Sequence, residues 1–124
     1  NNVAPGQCWA FKGSSGCITI KLLSPIYVTS ITLEHITVHE SPNSKTTSAP
    51  RCFSVWGLKS INDKEGYFFG KFMYDNCASP IQNFPMKKKS NESYEIIELK
   101  IHSNSGNPNY TCLYRVRVHG ELDL

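Results

Sequence analysis

The sequence predicts an all-β fold: an antiparallel β-sandwich of the jelly-roll type with little or no helix. Apolar residues recur with a period of two far more often than at helical spacing, and clusters of Gly, Pro, Asn and Ser interrupt them. No amphipathic segment of helical length is free of helix breakers. The 124 residues suffice for one hydrophobic core, so residues 1–124 are predicted to form a single domain.

Three strands are predicted in the first half of the chain. Isoleucine and leucine alternate with threonine and lysine over 18–22, and with threonine and glutamate over 31–34. Each alternation gives one buried face and one wetter face, as expected for a strand that lies on a core. The stretch 52–57 repeats the pattern and predicts the third strand. The long loop 37–51 precedes it, and such loops are where binding residues concentrate.

Four more strands are predicted in the second half. A turn-forming segment joins the third strand to the apolar run 67–74, so these two strands should form a long-looped hairpin. A short strand is predicted over 81–84, and clear alternation returns over 97–101 and 111–119. The segment 103–109 between the last two is rich in Asn, Ser and Gly and predicts a second candidate binding loop.

Charge and apolar content exclude several classes of partner. The formal net charge is +3, which gives no dominating basic face, so nucleic acid is not a predicted partner. Lys87, Lys88 and Lys89 are interpreted as a solvated loop. The uncharged stretch 22–33 is broken by Ser, Thr and Pro and is shorter than the roughly 18 apolar residues of a membrane-spanning helix.

The cysteines point to an oxidising compartment. The five cysteines include no CxxC pair and the four histidines no HExxH motif, so the paired spacing of the common zinc sites is missing. The triplets Asn91-Glu-Ser and Asn109-Tyr-Thr are glycosylation sequons and agree with a lumenal location. The sequence has no GxSxG motif, no paired-carboxylate motif and no phosphate-binding glycine loop, and we therefore do not predict an enzyme.

Four blocks of sequence resemble one family. In chain order they are Pro-Gly-Gln-Cys-Trp-Ala-Phe-Lys-Gly at 5–13, Leu-Glu-His-Ile at 33–36, Ser-Ala-Pro-Arg at 48–51 and Tyr-Thr-Cys-Leu-Tyr-Arg-Val-Arg-Val-His-Gly-Glu at 110–121. Together they resemble a SUN domain over essentially the whole chain. The resemblance implies a lumenal domain of an inner nuclear membrane protein, located in the perinuclear space. Such a domain binds the C-terminal tail of a KASH protein within the LINC complex, which links nucleus to cytoskeleton, and the full-length protein is a homotrimer.

The resemblance also assigns a tail pocket. His35 of the Leu-Glu-His block, Ser48 before Ala-Pro, and Tyr110 and Tyr114, which bound the Tyr-Thr-Cys-Leu-Tyr block, match the family pattern. A terminal carboxylate needs several converging hydrogen-bond donors, and a hydroxyl, two phenols and an imidazole can supply them. Without the resemblance, Tyr114 would be interpreted as a core residue and His35 as the end of a strand.

Two further features follow from the resemblance. Cys8 and Cys112 match the family's intradomain disulfide. The family also holds a monovalent cation, potassium or sodium, on backbone carbonyls near Gln7 and Tyr114, although Gln7 stands where Asn is common. No cofactor is otherwise expected.

The hairpin geometry suggests a second disulfide. Cys52 and Cys77 lie at opposite ends of the predicted hairpin, where antiparallel pairing brings the start of one strand near the end of the next. They are a candidate second bridge, which would leave Cys17 as the odd thiol. A Cα separation above about 7 Å would exclude this bridge.

The remaining expectations concern what the chain lacks and what it could otherwise do. The family's lid, lid-side cysteine and trimerising coiled coil are expected upstream of Asn1, so membrane contact is expected only through upstream segments and the 124 residues alone are expected to be mainly monomeric. Asn-Ser-Gly-Asn-Pro at 104–108 departs from the family's usual Asn-Trp-Gly-His-Pro. The alternative function is a lectin-like, galactose-binding-like module that binds glycans, with Trp9 and Trp56 as candidate stacking residues.

Overall fold

A computed structural model describes residues 8–36 and 46–124. These ranges contain eight β-strands and no helix, which confirms the all-β prediction. In chain order the strands are β1 (Trp9–Lys12), β2 (Gly16–Glu34), β3 (Cys52–Leu58), β4 (Tyr67–Met73), β5 (Ile81–Pro85), β6 (Tyr94–Ile101), β7 (Tyr110–Leu113) and β8 (Arg115–Leu122). Consequently no helix in the described ranges is long and apolar enough to cross a membrane.

Every strand pairing is antiparallel, and β2 connects most of the fold. A six-stranded sheet has the order β4-β3-β6-β2-β5, with β8 also pairing with β2, and β1 pairs with β7 in a separate two-stranded sheet. The first part of β2 pairs with β6, and its second part pairs with both β5 and β8. The core cluster draws buried residues from both parts of the sheet, including Ile31, Phe53, Val55, Ile97 and Leu99.

The two strands predicted over 18–22 and 31–34 are parts of one strand. Both stretches were correctly predicted as strand, but their division into two strands was wrong. β2 runs through both stretches, and its register against β6 shifts between Lys21 and Ile26. Pro25 lies within this irregular part, where a missing ladder donor is tolerated. β2 stays extended across the shift and changes its neighbouring strands there. The alternation of apolar and polar residues is interrupted in the same part of the strand.

The single strand predicted over 111–119 is two strands. β7 pairs with β1, whereas β8 pairs with β2, and Tyr114 lies between them. The sequence alternates straight through Tyr114, so periodicity alone does not reveal the change of partner. β1 was not predicted from the sequence.

The predicted hairpin is confirmed. β3 pairs with β4 in antiparallel register, and Cys52 lies opposite Met73. The turn is held by the Asp63 carboxylate, which accepts hydrogen bonds from the backbone N–H groups of Lys59, Glu65 and Gly66 at 3.1, 3.1 and 3.2 Å. These bonds lower the pKa of Asp63 because they favour its charged form.

Candidate functional site

The segment 46–50 is fixed against β7 and the 103–109 loop. The backbone N–H of Cys112 donates to the carbonyl of Ser48 at 2.8 Å, and the N–H of Ser105 donates to the carbonyl of Ala49 at 2.9 Å. Pro50 forms an isolated antiparallel bridge with Asn104. Ser48 is therefore held by backbone hydrogen bonds on a segment that joins both predicted binding loops.

His35 follows the last residue of β2 and is 2% exposed. Its backbone N–H donates to the Pro80 carbonyl at 3.0 Å. Its ring lies with Nδ1 3.1 Å from the carbonyl oxygen of Ile36 and Nε2 3.3 Å from the Ser48 hydroxyl. A carbonyl can only accept, so Nδ1 carries the proton and, in the neutral ring, Nε2 accepts from Ser48.

This arrangement gives His35 a positioning role. Burial lowers the pKa of His35, although the bond to the Ile36 carbonyl works in the opposite direction. The neutral ring has no spare N–H to offer a ligand, because Nδ1–H is already bonded. His35 therefore orients the Ser48 hydroxyl and packs against a neighbouring ring, and it offers no hydrogen-bond donor of its own.

That neighbouring ring belongs to Tyr114. The His35 and Tyr114 rings meet edge to face, with centroids 4.8 Å apart and an interplanar angle of 83°. Tyr114 also hydrogen-bonds to the thiol of Cys8. His35 thus contacts both Ser48 and Tyr114, and the structure brings these three predicted site residues into one cluster, which we call the His35 cluster.

Tyr110 lies at the other end of β7. It is the first residue of that strand and its side chain is 41% exposed. Asn107 Oδ1 accepts from the Tyr110 backbone N–H at 3.1 Å, and Asn104 Nδ2 donates to the Tyr110 carbonyl at 3.1 Å. The structure therefore places Tyr110 at the edge of the region, with its backbone fixed by hydrogen bonds and the residue partly exposed.

Sequence reasoning missed three residues that support the site. Asn104 Nδ2 also donates to the carbonyl of Asn107 at 2.8 Å and to the hydroxyl of the fully buried Thr111 at 3.0 Å. The turn signal around Asn104 was visible in the sequence, but its bonding was not. The Tyr74 hydroxyl donates to the Pro80 carbonyl at 2.7 Å, the same carbonyl that holds His35, and burial raises the pKa of Tyr74 to about 12.

The Cys8 and Cys112 side chains meet across β1 and β7. Ala10 lies opposite Cys112 in this pair of strands, which makes Cys8 a diagonal neighbour of Cys112. Burial first, and the adjacent Cys112 thiol second, raise the pKa of Cys8 to about 12. All five cysteines carry free thiols in the structure, so the bridges Cys8–Cys112 and Cys52–Cys77 both stay predictions.

The cation site also stays an expectation. Gln7 lies outside the described residues, whereas Tyr114 lies inside them. Within 8–36 and 46–124 no group of His, Cys, Asp and Glu could hold a metal ion. A monovalent cation bound to backbone carbonyls would need no such group. Half of its expected neighbourhood lies outside the described residues.

Burial of His35 predicts a loss of stability in acid. Its pKa in the folded protein lies below the ordinary value of 6.5, so the unfolded chain binds more protons as the pH falls through this value. The free energy of unfolding should then fall by at most about 1.4 kcal/mol per pH unit from this group. Urea unfolding of the wild type and of His35→Gln between pH 8 and 5 measures the effect. Parallel pH profiles for the two proteins would contradict it.

The family model for the Sad1 / UNC-like C-terminal region matches residues 1–122. The chain belongs to this family, the SUN domains. It is 47% identical over 121 residues to the Klaroid protein of Drosophila melanogaster and 45% identical over 121 residues to SUN domain-containing protein 1 of Homo sapiens. These matches cover 97% of the chain but only 12% and 15% of those relatives. This SUN domain therefore spans a small part of their length.

Solved structures confirm the jelly-roll sandwich. An F5/8 type C domain from Bacteroides fragilis matches 93% of this SUN domain and 74% of its own chain, with a TM-score of 0.67 and 11% identity. The family 32 carbohydrate-binding module of Streptococcus pneumoniae EndoD matches 92% of this SUN domain and 75% of its own chain, with a TM-score of 0.66 and 13% identity. At such low identity the similarity extends to the fold alone.

Proposed function

We propose that this SUN domain binds the C-terminal tail of a KASH protein in the perinuclear space and captures the terminal carboxylate of that tail. Membership of the SUN family supports the proposal, and the His35 cluster is the observation that carries it. A non-enzymatic binding module also agrees with the fold, since function on this sandwich depends on the side chains that individual members present.

The chemistry of capture centres on Ser48. In the free protein its hydroxyl donates to His35 Nε2 at 3.3 Å, which is a long bond to a neutral acceptor. A carboxylate is a stronger acceptor, so the hydroxyl proton turns toward it when a tail binds. The backbone hydrogen bonds around Ser48 keep the oxygen in place during this rotation, and only one torsion angle changes.

Further donors and a positive charge lie close to Ser48. The Tyr114 ring packs edge to face against His35, and Tyr110 at the far end of β7 is a partly exposed phenol-bearing residue. Arg51 ends the same segment as Ser48 and lines an open cleft of about 440 Å³ together with Tyr74. Its charge is part of the net charge of +3 and attracts an anionic tail end at long range.

The assembly and location belong to the same proposal. We infer an inner nuclear membrane protein whose SUN domain lies in the perinuclear space as part of the LINC complex that links nucleus to cytoskeleton. The full-length protein is proposed to be a homotrimer, and the 124 residues alone mainly a monomer. Nucleic acid is not proposed as a partner, and neither is catalysis.

One observation favours a second candidate, a glycan-binding module. Trp9 is 42% exposed and stacks at a tilt on Phe11, with centroids 5.0 Å apart, so its face is available to a sugar ring. Trp56 is less suited, because Lys100 Nζ lies 4.4 Å from its ring centroid and its Nε1 donates to Ser54 at 2.9 Å. The candidate therefore depends on Trp9.

A direct comparison separates the two functions. We expect saturable binding of a KASH tail peptide with a free carboxylate, and no binding to a panel of immobilised glycans. Isothermal titration measures the first and an array the second. Because the family's lid is expected upstream of Asn1, both are run with the 124 residues and with a chain extended upstream. Glycan binding that is lost in Trp9→Ala, together with no peptide binding, would reverse the assignment.

A further inference from the structure

The two glycosylation sequons lie in different structural settings. Asn91 is exposed in the loop between β5 and β6, next to the turn of the β3–β4 hairpin. Asn109 is also exposed, but it immediately precedes Tyr110 of the proposed tail pocket. β6 begins near Asn91 and ends near the 103–109 loop, so its 8 residues separate the two regions. At about 3.3 Å per residue this is a distance of roughly 23 Å.

The sequon at Asn91 contributes little to the fold. Glu92 forms a surface ion pair with Lys59 at 3.1 Å, in which both side chains are more than half exposed, and such pairs contribute little to stability. The Ser93 hydroxyl donates to Asp123 near the end of the chain at 2.6 Å. In the described part of the chain the Asn91 amide has no hydrogen-bond partner that a sugar would displace.

The sequon at Asn109 is built into the fold. Its backbone N–H donates to Asn107 Oδ1 at 2.9 Å, and its carbonyl accepts from the Gly13 N–H at 2.9 Å. Thr111 is fully buried, and its hydroxyl donates to the Gly13 carbonyl at 2.7 Å. Once β7 has formed, this hydroxyl is inaccessible, and a glycan on Asn109 would stand beside Tyr110.

We propose that Asn91 is the N-glycosylated residue of this domain and that Asn109 is left unmodified. In the reaction, Asn91 Nδ2 bonds to the anomeric carbon of an oligosaccharide carried on a lipid diphosphate. The bond between that carbon and the diphosphate oxygen breaks, the lipid diphosphate leaves, and the amide nitrogen loses one proton. The inference rests on the proposed function, because this donor is used on the lumenal side of the membrane.

The surroundings of Asn91 have room for the first sugars. Asn91 lines an open cleft of about 550 Å³, whose other walls include Lys59, Asp63, Glu65 and Tyr67. Polar and charged side chains on these walls can hydrogen-bond to sugar hydroxyls. A glycan here would keep this end of the sandwich in solvent, so contacts with partner chains would form elsewhere on the domain.

The test uses the full-length protein from its own cells, treated with peptide N-glycosidase. We expect the increase in electrophoretic mobility to be smaller by one glycan in Asn91→Gln and Ser93→Ala than in the wild type, and unchanged in Ser93→Thr and Asn109→Gln. Ser93→Thr is the matched control, because it retains the sequon hydroxyl. An increase that Asn91→Gln leaves unchanged, or that Asn109→Gln reduces instead, would overturn the inference.

A second arm separates this inference from the proposed function. The 124 residues are directed into the secretory pathway by a cleavable leader, which makes them lumenal whatever the native location. If this chain is not glycosylated at Asn91, the site inference fails while the tail-binding proposal stands. Asn91→Gln should bind the tail peptide with the full affinity of the wild type. If the wild type is glycosylated at Asn91 but does not bind the tail peptide, the result contradicts the proposed function and leaves the glycosylation inference intact.

Discussion

Oxidation that joins Cys8 to Cys112 is expected to raise the free energy of unfolding by roughly 4 to 5 kcal/mol, less any strain in the bridge. The reason is the length of chain that the bridge closes, about 100 residues, whose freedom in the unfolded state the cross-link removes. The two thiols already meet across β1 and β7, so the bond should form with little movement of either strand. Urea unfolding with and without reductant measures the difference.

The exposed Cys17 supplies the matched control. Cys8→Ser and Cys112→Ser should lose the part of the dependence on reductant that this bridge causes, whereas Cys17→Ser should keep it. Because burial raises the pKa of Cys8 to about 12, its thiol is protonated at neutral pH and should react slowly with alkylating agents even when reduced. Peptide mapping of folded, oxidised protein must therefore detect the bridge directly. Recovery of Cys8 and Cys112 as separate thiols would contradict the prediction.

Most of the strand content was predictable because apolar residues alternate along those strands. Alternation at 97–101 and 52–57 located β6 and β3, which pair with one another in the centre of the sheet. The pattern could not show where a strand changes neighbours. β2 and the β7–β8 junction at Tyr114 both include such a change of pairing partner. Hydrophobic periodicity shows which face of a strand is buried, but it does not show which strand pairs with it.

The candidate site was only partly predictable for a related reason. Residue types suggested hydrogen-bond donors at His35 and Ser48, but the direction of their bond depends on the tautomer, which the Ile36 carbonyl fixes. No property of the sequence indicates that carbonyl as the partner. The supporting bonds of Asn104 likewise depend on how the 103–109 loop folds back over β7. The sequence thus suggested the candidate binding groups, and the structure added the bonds that orient them.

The role of Ser48 predicts how Ser48→Ala changes tail affinity. A hydrogen bond to a charged group contributes about 1.5 to 3 kcal/mol, so Ser48→Ala should weaken binding of the free-acid peptide roughly tenfold to a hundredfold. The same peptide ending in an amide should bind the wild type at least as weakly, because the acceptor charge is gone. The variant should lose little further affinity for the amide, since the interaction it removes is already missing.

A second serine–histidine pair in the chain provides the control for this cycle. Ser54 lies in β3, outside the His35 cluster, and its hydroxyl is 2.8 Å from His102 Nε2. Ser54→Ala therefore removes a similar bond, together with the bond that Ser54 accepts from Trp56 Nε1, without touching the site. It should leave the preference for acid over amide unchanged. Titration calorimetry of both peptides against wild type, Ser48→Ala and Ser54→Ala yields the coupling between hydroxyl and carboxylate. Equal losses for acid and amide in Ser48→Ala would show that Ser48 supports the fold and does not contact the carboxylate.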